Sequence, residues 1–147
     1  MTRDDLLTTG EELARRYVDT FNDRDVDAWV ALFAEDAVIH DPFFPEPSKG
    51  REAIKNVQKA VLRAFPDMQW RQLRPAIDVG DRVAVELAGN AVNEGPLEMP
   101  GGEVPATGRA ISFETGTFWL IGPDGLISEE RSYFDATGVA AQLGITS

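Results

Sequence analysis

Apolar residues recur along this chain with two periods, and the change from one to the other divides it. Leu13, Tyr17, Val18 and Phe21 fall three and four apart, the spacing that gathers side chains on one face of a helix. Thr8 or Thr9, with Glu11 or Glu12 three residues on, supplies a capping-box start; Asn22, Asp23 and Asp25 interrupt the pattern. Ala28, Trp29, Leu32 and Phe33 suit a second, short helix. A third opens at Lys49-Gly50-Arg51-Glu52, carries Ile54, Val57, Val61, Leu62 and Phe65 on one face, and stops at Pro66-Asp67. Between the second and third, residues 37–41 alternate as a strand that Pro42 ends.

After Met68 the period is two. It predicts strands over Met68–Val79, Arg82–Asn93, Ala110–Ile121 and Leu126–Phe134. Asp78-Val79-Gly80-Asp81 and Gly122-Pro123-Asp124-Gly125 are hairpin turns by composition. Residues 94–108, EGPLEMPGGEVPATG, are rich in Gly and Pro and read as a loop or as a lid over a cavity mouth. Val139–Leu143 is a short closing helix. Helices grouped ahead of a run of strands give an α+β domain: a cone-shaped, curved antiparallel sheet wrapped by three N-terminal helices around a central apolar cavity. Residues 1–9 read as a flexible tail and 10–147 as a single domain.

Composition narrows the function classes. The 147 residues are 43% hydrophobic, enough for a sizeable core. No cysteine is present, which excludes disulfides, thiolate metal sites and a cysteine nucleophile. The one histidine, His40, and the lack of ligand spacing elsewhere leave no metal site, and no cofactor is expected. A net charge of −11 repels a phosphate backbone, so nucleic acid is not an expected partner. No run approaches the ~20 apolar residues of a membrane span, and MTRDDLLTTG has no apolar signal core. The expectation is a cytoplasmic protein with no membrane partner.

The chemistry concentrates at AEDAVIHDPFFPEP, residues 34–47, where an apolar strand delivers Asp41 into an aromatic loop containing Phe43 and Phe44. Asp41 either caps the turn before Pro42 or lines a pocket. Alternation puts Ala37, Ile39 and Asp41 on one face, Val38 and His40 on the other; His40 reads as a surface or interface histidine. On the last strand Glu130, Ser132 and Phe134 share one face; Glu129, Arg131 and Tyr133 share the opposite one. With a four-residue loop at 122–125 and no bulge, Glu130 opposes Thr117, Ser132 opposes Thr115, and Phe134 opposes Phe113. The resulting wall adds Trp119 and is aromatic, with a few hydroxyls and acids. Such a wall suits an apolar ligand bearing a carbonyl or hydroxyl. An acid there has its pKa raised and can move a proton near neutral pH. Glu130 reads either as part of a solvated Ser-Glu-Glu-Arg run or as a second acid. Tyr17 is a core tyrosine or an oxyanion donor. Trp29, Phe33, Phe65 and Trp119 are core residues or ligand contacts.

The segments LFAEDAVIHDPFFPEPSKGREAI and GLISEERSYFDATGVAAQLG, with the meander between them, resemble the SnoaL-like group of the ketosteroid-isomerase-like, nuclear-transport-factor-2-like superfamily. The resemblance runs from about Glu11 to Gly144. It implies that Asp41, in HDPF, matches the general base of the isomerases, and that Tyr17, in ARRYVDTFN, matches their oxyanion-binding tyrosine. Their second oxyanion donor, an Asp, falls on or near Thr117 or Phe118, where no Asp stands. The acid and histidine of the cyclases fall on Ser132 and Phe118. The implied activity is cofactor-free acid/base proton transfer on an apolar carbonyl compound, of isomerase or polyketide-cyclase type. The superfamily also holds epoxide hydrolases and non-catalytic ligand-binding or assembly domains. It implies a homodimer through the sheet, which strands rich in Val, Ile and Phe on both faces also call for.

Overall fold

The structure, a computed structural model, describes residues 9–99 and 101–145. Helix α1 spans Gly10–Asn22; the Thr9 side chain accepts from the Glu12 amide at 3.1 Å and satisfies one free N–H of its first turn. Helix α2 is Val26–Val30, capped by Asp25. Phe33 does not extend it: strand β1 runs Phe33–His40. Strand pairing overrides the helical spacing there, because the Ile127 amide donates to the Leu32 carbonyl and Phe33 pairs with Ile127. Strand β2 is Ser48–Lys49, and helix α3 spans Arg51–Ala64.

The predicted strand over 68–79 is two, β3 Gln69–Gln72 and β4 Ile77–Asp78. Pro75 lies between them and has no amide to give the ladder. Strand β5 is Arg82–Val92. The Gly/Pro-rich segment forms a small hairpin, β6 Leu97–Met99 with β7 Gly102–Val104. Strand β8 is Ala110–Ile121, β9 is Ile127–Tyr133, and helix α4, Ala136–Leu143, closes the chain. Gln142 on α4 bonds both backbone groups of Ser112, at 2.7 and 3.0 Å.

The sheet order is β2-β1-β9-β8-β5-β3, with β4 also on β5. It is curved, unclosed and antiparallel except where β1 runs parallel to β9. That pair is parallel because α1 and α2 precede β1 while the β8–β9 hairpin returns in the same direction as β1. The inward faces of β5 and β8 alternate as their sequences require: Val83, Val85, Leu87 and Ala91, then Ile111, Thr115, Thr117 and Trp119, are all buried. Tyr17, Trp29, Phe33 and Trp119 tie helices to sheet, with ring centroids 4.8 to 6.4 Å apart. Burying each of these large side chains stabilises the fold by roughly 2–3 kcal/mol. On the outer face Phe118, Leu120 and Tyr133 stay exposed. No helix among the described residues is long and apolar enough to cross a membrane.

The β8–β9 register differs from the one the loop length suggests. Ile121 pairs with Ile127, which makes the loop five residues, and an irregularity follows at Ser128, so that Leu120 pairs with Glu129. Each change shifts the register by one residue. Together they shift it by two and restore the parity. Glu130 therefore opposes Trp119, and Ser132 opposes Thr117, yet the expected set of inward residues is kept.

Candidate active site

A cavity of about 170 Å³ lies between the helices and the concave face of the sheet. Asp41, Tyr17 and Glu130 all border it. Asp41 follows β1 directly, on the side of Ala37 and Ile39, which are buried. Its Oδ1 accepts the Phe43 amide at 2.8 Å, and its carbonyl accepts the Phe44 amide at 3.0 Å. The two readings of this residue are thus one geometry: the first carboxylate oxygen caps the turn, and the second accepts no hydrogen bond among the described residues. Burial raises the Asp41 pKa, and the Phe43 amide opposes part of that rise.

Glu130 comes from β9 and is only 4% exposed. The strand sorts its own charges. Glu129 points outward and pairs with Arg131 at 2.6 Å, with His40 Nε2 at 3.5 Å on its other side. Glu130 points inward, where Trp119 Nε1 donates to its Oε1 at 2.9 Å and the Tyr17 side chain borders the same cavity. Burial pushes the Glu130 carboxyl up to about 7; the Trp119 and Tyr17 donors pull it back, and the charge of Asp41 pushes it further up. Tyr17 is driven well above its ordinary value by burial and then by Glu130 and Asp41, so it stays a protonated donor.

The rest of the wall is aromatic with a hydroxyl stripe. Trp29, Phe43, Phe44, Phe65, Phe113 and Phe134 border the cavity, together with Thr115, Thr117 and Ser132. The Thr117 and Ser132 hydroxyls lie 3.1 Å apart. Phe33 and Trp119 are not on the lining. Phe33 starts β1, at the far end from Asp41, and packs fully buried on Trp29. Trp119 lies behind the wall and acts on it through Glu130. Leu97, Glu98 and Met99 of β6, in the segment read as a loop or a lid over a cavity mouth, border the cavity. Gln58 of α3 and Trp70 of β3 border it too and were not among the expected wall residues. Gln58 had a signal: it stands one turn after Ile54 on the apolar face of α3. Among the described residues no cluster of His, Cys, Asp or Glu is arranged to hold a metal ion.

A curved sheet, helices across its concave side and acids on the wall of an apolar cavity define a small cone-shaped α+β domain of the SnoaL and nuclear-transport-factor-2-like type. The chain belongs to the SnoaL-like domain family, whose model matches residues 14–130. Among solved structures it is similar to IdmH of Streptomyces antibioticus, a candidate polyketide cyclase: 27% identity, 92% of this chain and 98% of that one, TM-score 0.71. It shares its fold with a candidate SnoaL-like polyketide cyclase from Jannaschia sp. CCS1, at 19% identity, 100% and 99% coverage and TM-score 0.79. The same holds for a hypothetical protein of ketosteroid isomerase-like fold from Catenulispora acidiphila, in complex with trimethylamine, at 18% identity, 92% and 94% coverage and TM-score 0.75.

Proposed function

We propose that this protein is a cofactor-free enzyme that moves protons on an apolar carbonyl compound held in the cavity, in the manner of an isomerase or a polyketide cyclase. One observation carries the reading: Asp41 and Glu130, both with raised proton affinity, share an apolar cavity with the protonated hydroxyl of Tyr17. Two carboxylates in one apolar space resist ionising together. Asp41 is less buried and holds a turn amide that favours its charged form, so it serves as the base. Glu130 keeps a proton near neutral pH and serves as the acid.

Asp41 takes a proton from the carbon next to the carbonyl. The electron pair of that C–H bond moves into a carbon–carbon double bond, and the carbonyl oxygen becomes an enol by taking the Glu130 proton, with Tyr17 donating a hydrogen bond to the same region. Where the substrate is a β,γ-unsaturated ketone the enol is a conjugated dienol; Asp41 returns its proton to the γ-carbon, the double bond shifts to the α,β position, and the enol proton goes back to Glu130, which completes an isomerisation. Attack of the enol carbon on a second carbonyl of the same molecule closes a ring instead: the second C=O π bond breaks, its oxygen takes the proton held by Asp41, and the enol proton returns to Glu130 as the first carbonyl re-forms. The cavity is open and not plugged by Trp29 or Phe65, which favours this over a pure assembly role.

The test is solvent deuterium exchange into the α-carbon of a small cyclic ketone, followed by NMR. Asp41→Asn should slow it by about 10²–10⁴-fold. Exchange unchanged in that variant refutes the assignment.

We infer also that two copies pair through the outer face of the sheet. Phe118 and Tyr133 are 50% and 60% exposed and pack edge to face at 5.8 Å, a patch that lacks cover in one chain.

A further inference from the structure

The stretch of cavity wall that α3 supplies is apolar except at one position. Val57, Ala60, Val61, Ala64 and Phe65 border the space, and Gln58 stands among them, 5% exposed. Its side-chain amide makes no hydrogen bond to any described residue. An amide with no protein partner on an apolar helix face depends on whatever polar group enters the space it borders.

This chain satisfies its other buried amides. Asn93, wholly buried, donates to the Ala64 and Gly95 carbonyls at 3.1 and 2.8 Å and accepts from the Thr107 amide and hydroxyl at 2.7 and 2.9 Å. Asn22, only half-buried, likewise exchanges two hydrogen bonds with the backbone of Trp70. The indole N–H groups of Trp29 and Trp70 are also without an acceptor, but they are closed off, and both rings lie against other aromatic rings. The Gln58 amide is not closed off in this way, and the open volume it borders is the cavity.

We propose that Gln58 is a specificity-determining residue that hydrogen-bonds a second polar group of the ligand, away from the carbonyl that meets Asp41 and Glu130. The identity of that reacting carbonyl rests on the proton-transfer reading above; the second contact does not. An amide both donates and accepts, so the partner group is a hydroxyl or another carbonyl. The volume limits the body between the two groups. A dry cavity of about 150 Å³ accommodates benzene, and the 170 Å³ here fits a single ring with short substituents. The ligand class is a small, ring-sized ketone with one further oxygen function across the ring.

The experiment titrates acetophenone and 4-hydroxyacetophenone into the full chain and into Gln58→Met, which keeps the length of the side chain. Binding is read by calorimetry and unfolding of the free protein by its Tm. The wild type should bind the hydroxy ketone about tenfold tighter or more, a difference of roughly 1.4 kcal/mol. Gln58→Met should erase that preference, keep its affinity for acetophenone, and have a free-protein Tm no lower than that of the wild type. A lower Tm, or a variant that fails to fold, means the amide is structural and overturns the proposal. Equal affinity of the wild type for the two ketones, or a preference that survives in Gln58→Met, overturns it and leaves the proton-transfer reading standing. Binding of neither ketone overturns the ring-sized ligand class and this proposal with it; the proton-transfer reading is then decided by the deuterium exchange of the Asp41→Asn variant.

Discussion

Glu130 illustrates how one side chain is set by its neighbours. Its folded-state pKa of about 7 stands above the ordinary value of 4.5, so between those pH values the folded state holds a proton that the unfolded chain has lost. Stability from this group is full below pH 4.5 and is lost as the pH rises through 7, by about 3 kcal/mol in all. Burial raises the pKa of Asp41 as well, and its contribution has the same sign. Relief of the −11 net charge on acidification also works in that direction. The variant Glu130→Gln isolates the one group. In urea unfolding it should match the wild type near pH 5, exceed it at pH 8, and show a flatter profile between. A wild-type profile that Glu130→Gln leaves unaltered would mean that Glu130 titrates as an ordinary surface acid. At this scale Asp41 and Tyr17 were legible, because a strand-end acid before Pro and an aromatic on the apolar face of a helix are visible in the pattern. The burial of Glu130 was not: alternation says that it opposes Glu129 and Arg131, but not which side faces in.

At the scale of elements, the β6–β7 hairpin is held against α3 by backbone contact. The Glu94 and Gly95 amides both donate to the Ala64 carbonyl, at 3.1 and 3.2 Å. A Cβ on Gly95 would collide with the carbonyl oxygen of Arg63, a backbone atom that cannot swing aside. Gly95→Ala should therefore destabilise the protein by roughly 2–3 kcal/mol, lowering the denaturant midpoint. A change within about 0.5 kcal/mol would show that the hairpin sits loosely on α3. Turn chemistry placed the β8–β9 hairpin within a residue of its position, but loop length and bulge together lay beyond it. The Gly122 amide bonds the Leu126 carbonyl, closing a five-residue loop, and Ser128 is the unpaired residue that sets the parity right. Neither is decided by local sequence, since a four-residue loop without a bulge gives the same inward face.

For the molecule as a whole, the proposed pairing through the sheet is a matter of mass and charge. Light scattering at micromolar concentration should give twice 16.1 kDa. Phe118→Asp should give the monomer while leaving ketone binding in the cavity intact, because Phe118 lies on the outer face. Two copies that each carry −11 repel, so the dimer should tighten as salt is added. A wild-type monomer under these conditions rejects the pairing.

The order and type of the helices and of the long strands β1, β5, β8 and β9 followed from period and punctuation, because 3.6 and 2 are properties of local backbone geometry that side chains must match; the short strand β2 and the β6–β7 hairpin did not. The apolar faces of α1 and α3, the inward set on β5 and β8, and the position of Asp41 at the end of β1 all come from that source. Tertiary structure decided what no local pattern holds. It made β1 a parallel neighbour of β9, which brings residues 91 positions apart, such as Ile39 and Glu130, into register. It buried Glu130, and that burial pushes its carboxyl up to about 7 against the opposing pull of Trp119 and Tyr17. It set Phe33 and Trp119 behind the wall and Gln58 on it. Those outcomes depend on which surfaces exclude water from which, and that is a property of the packed chain rather than of any segment in it.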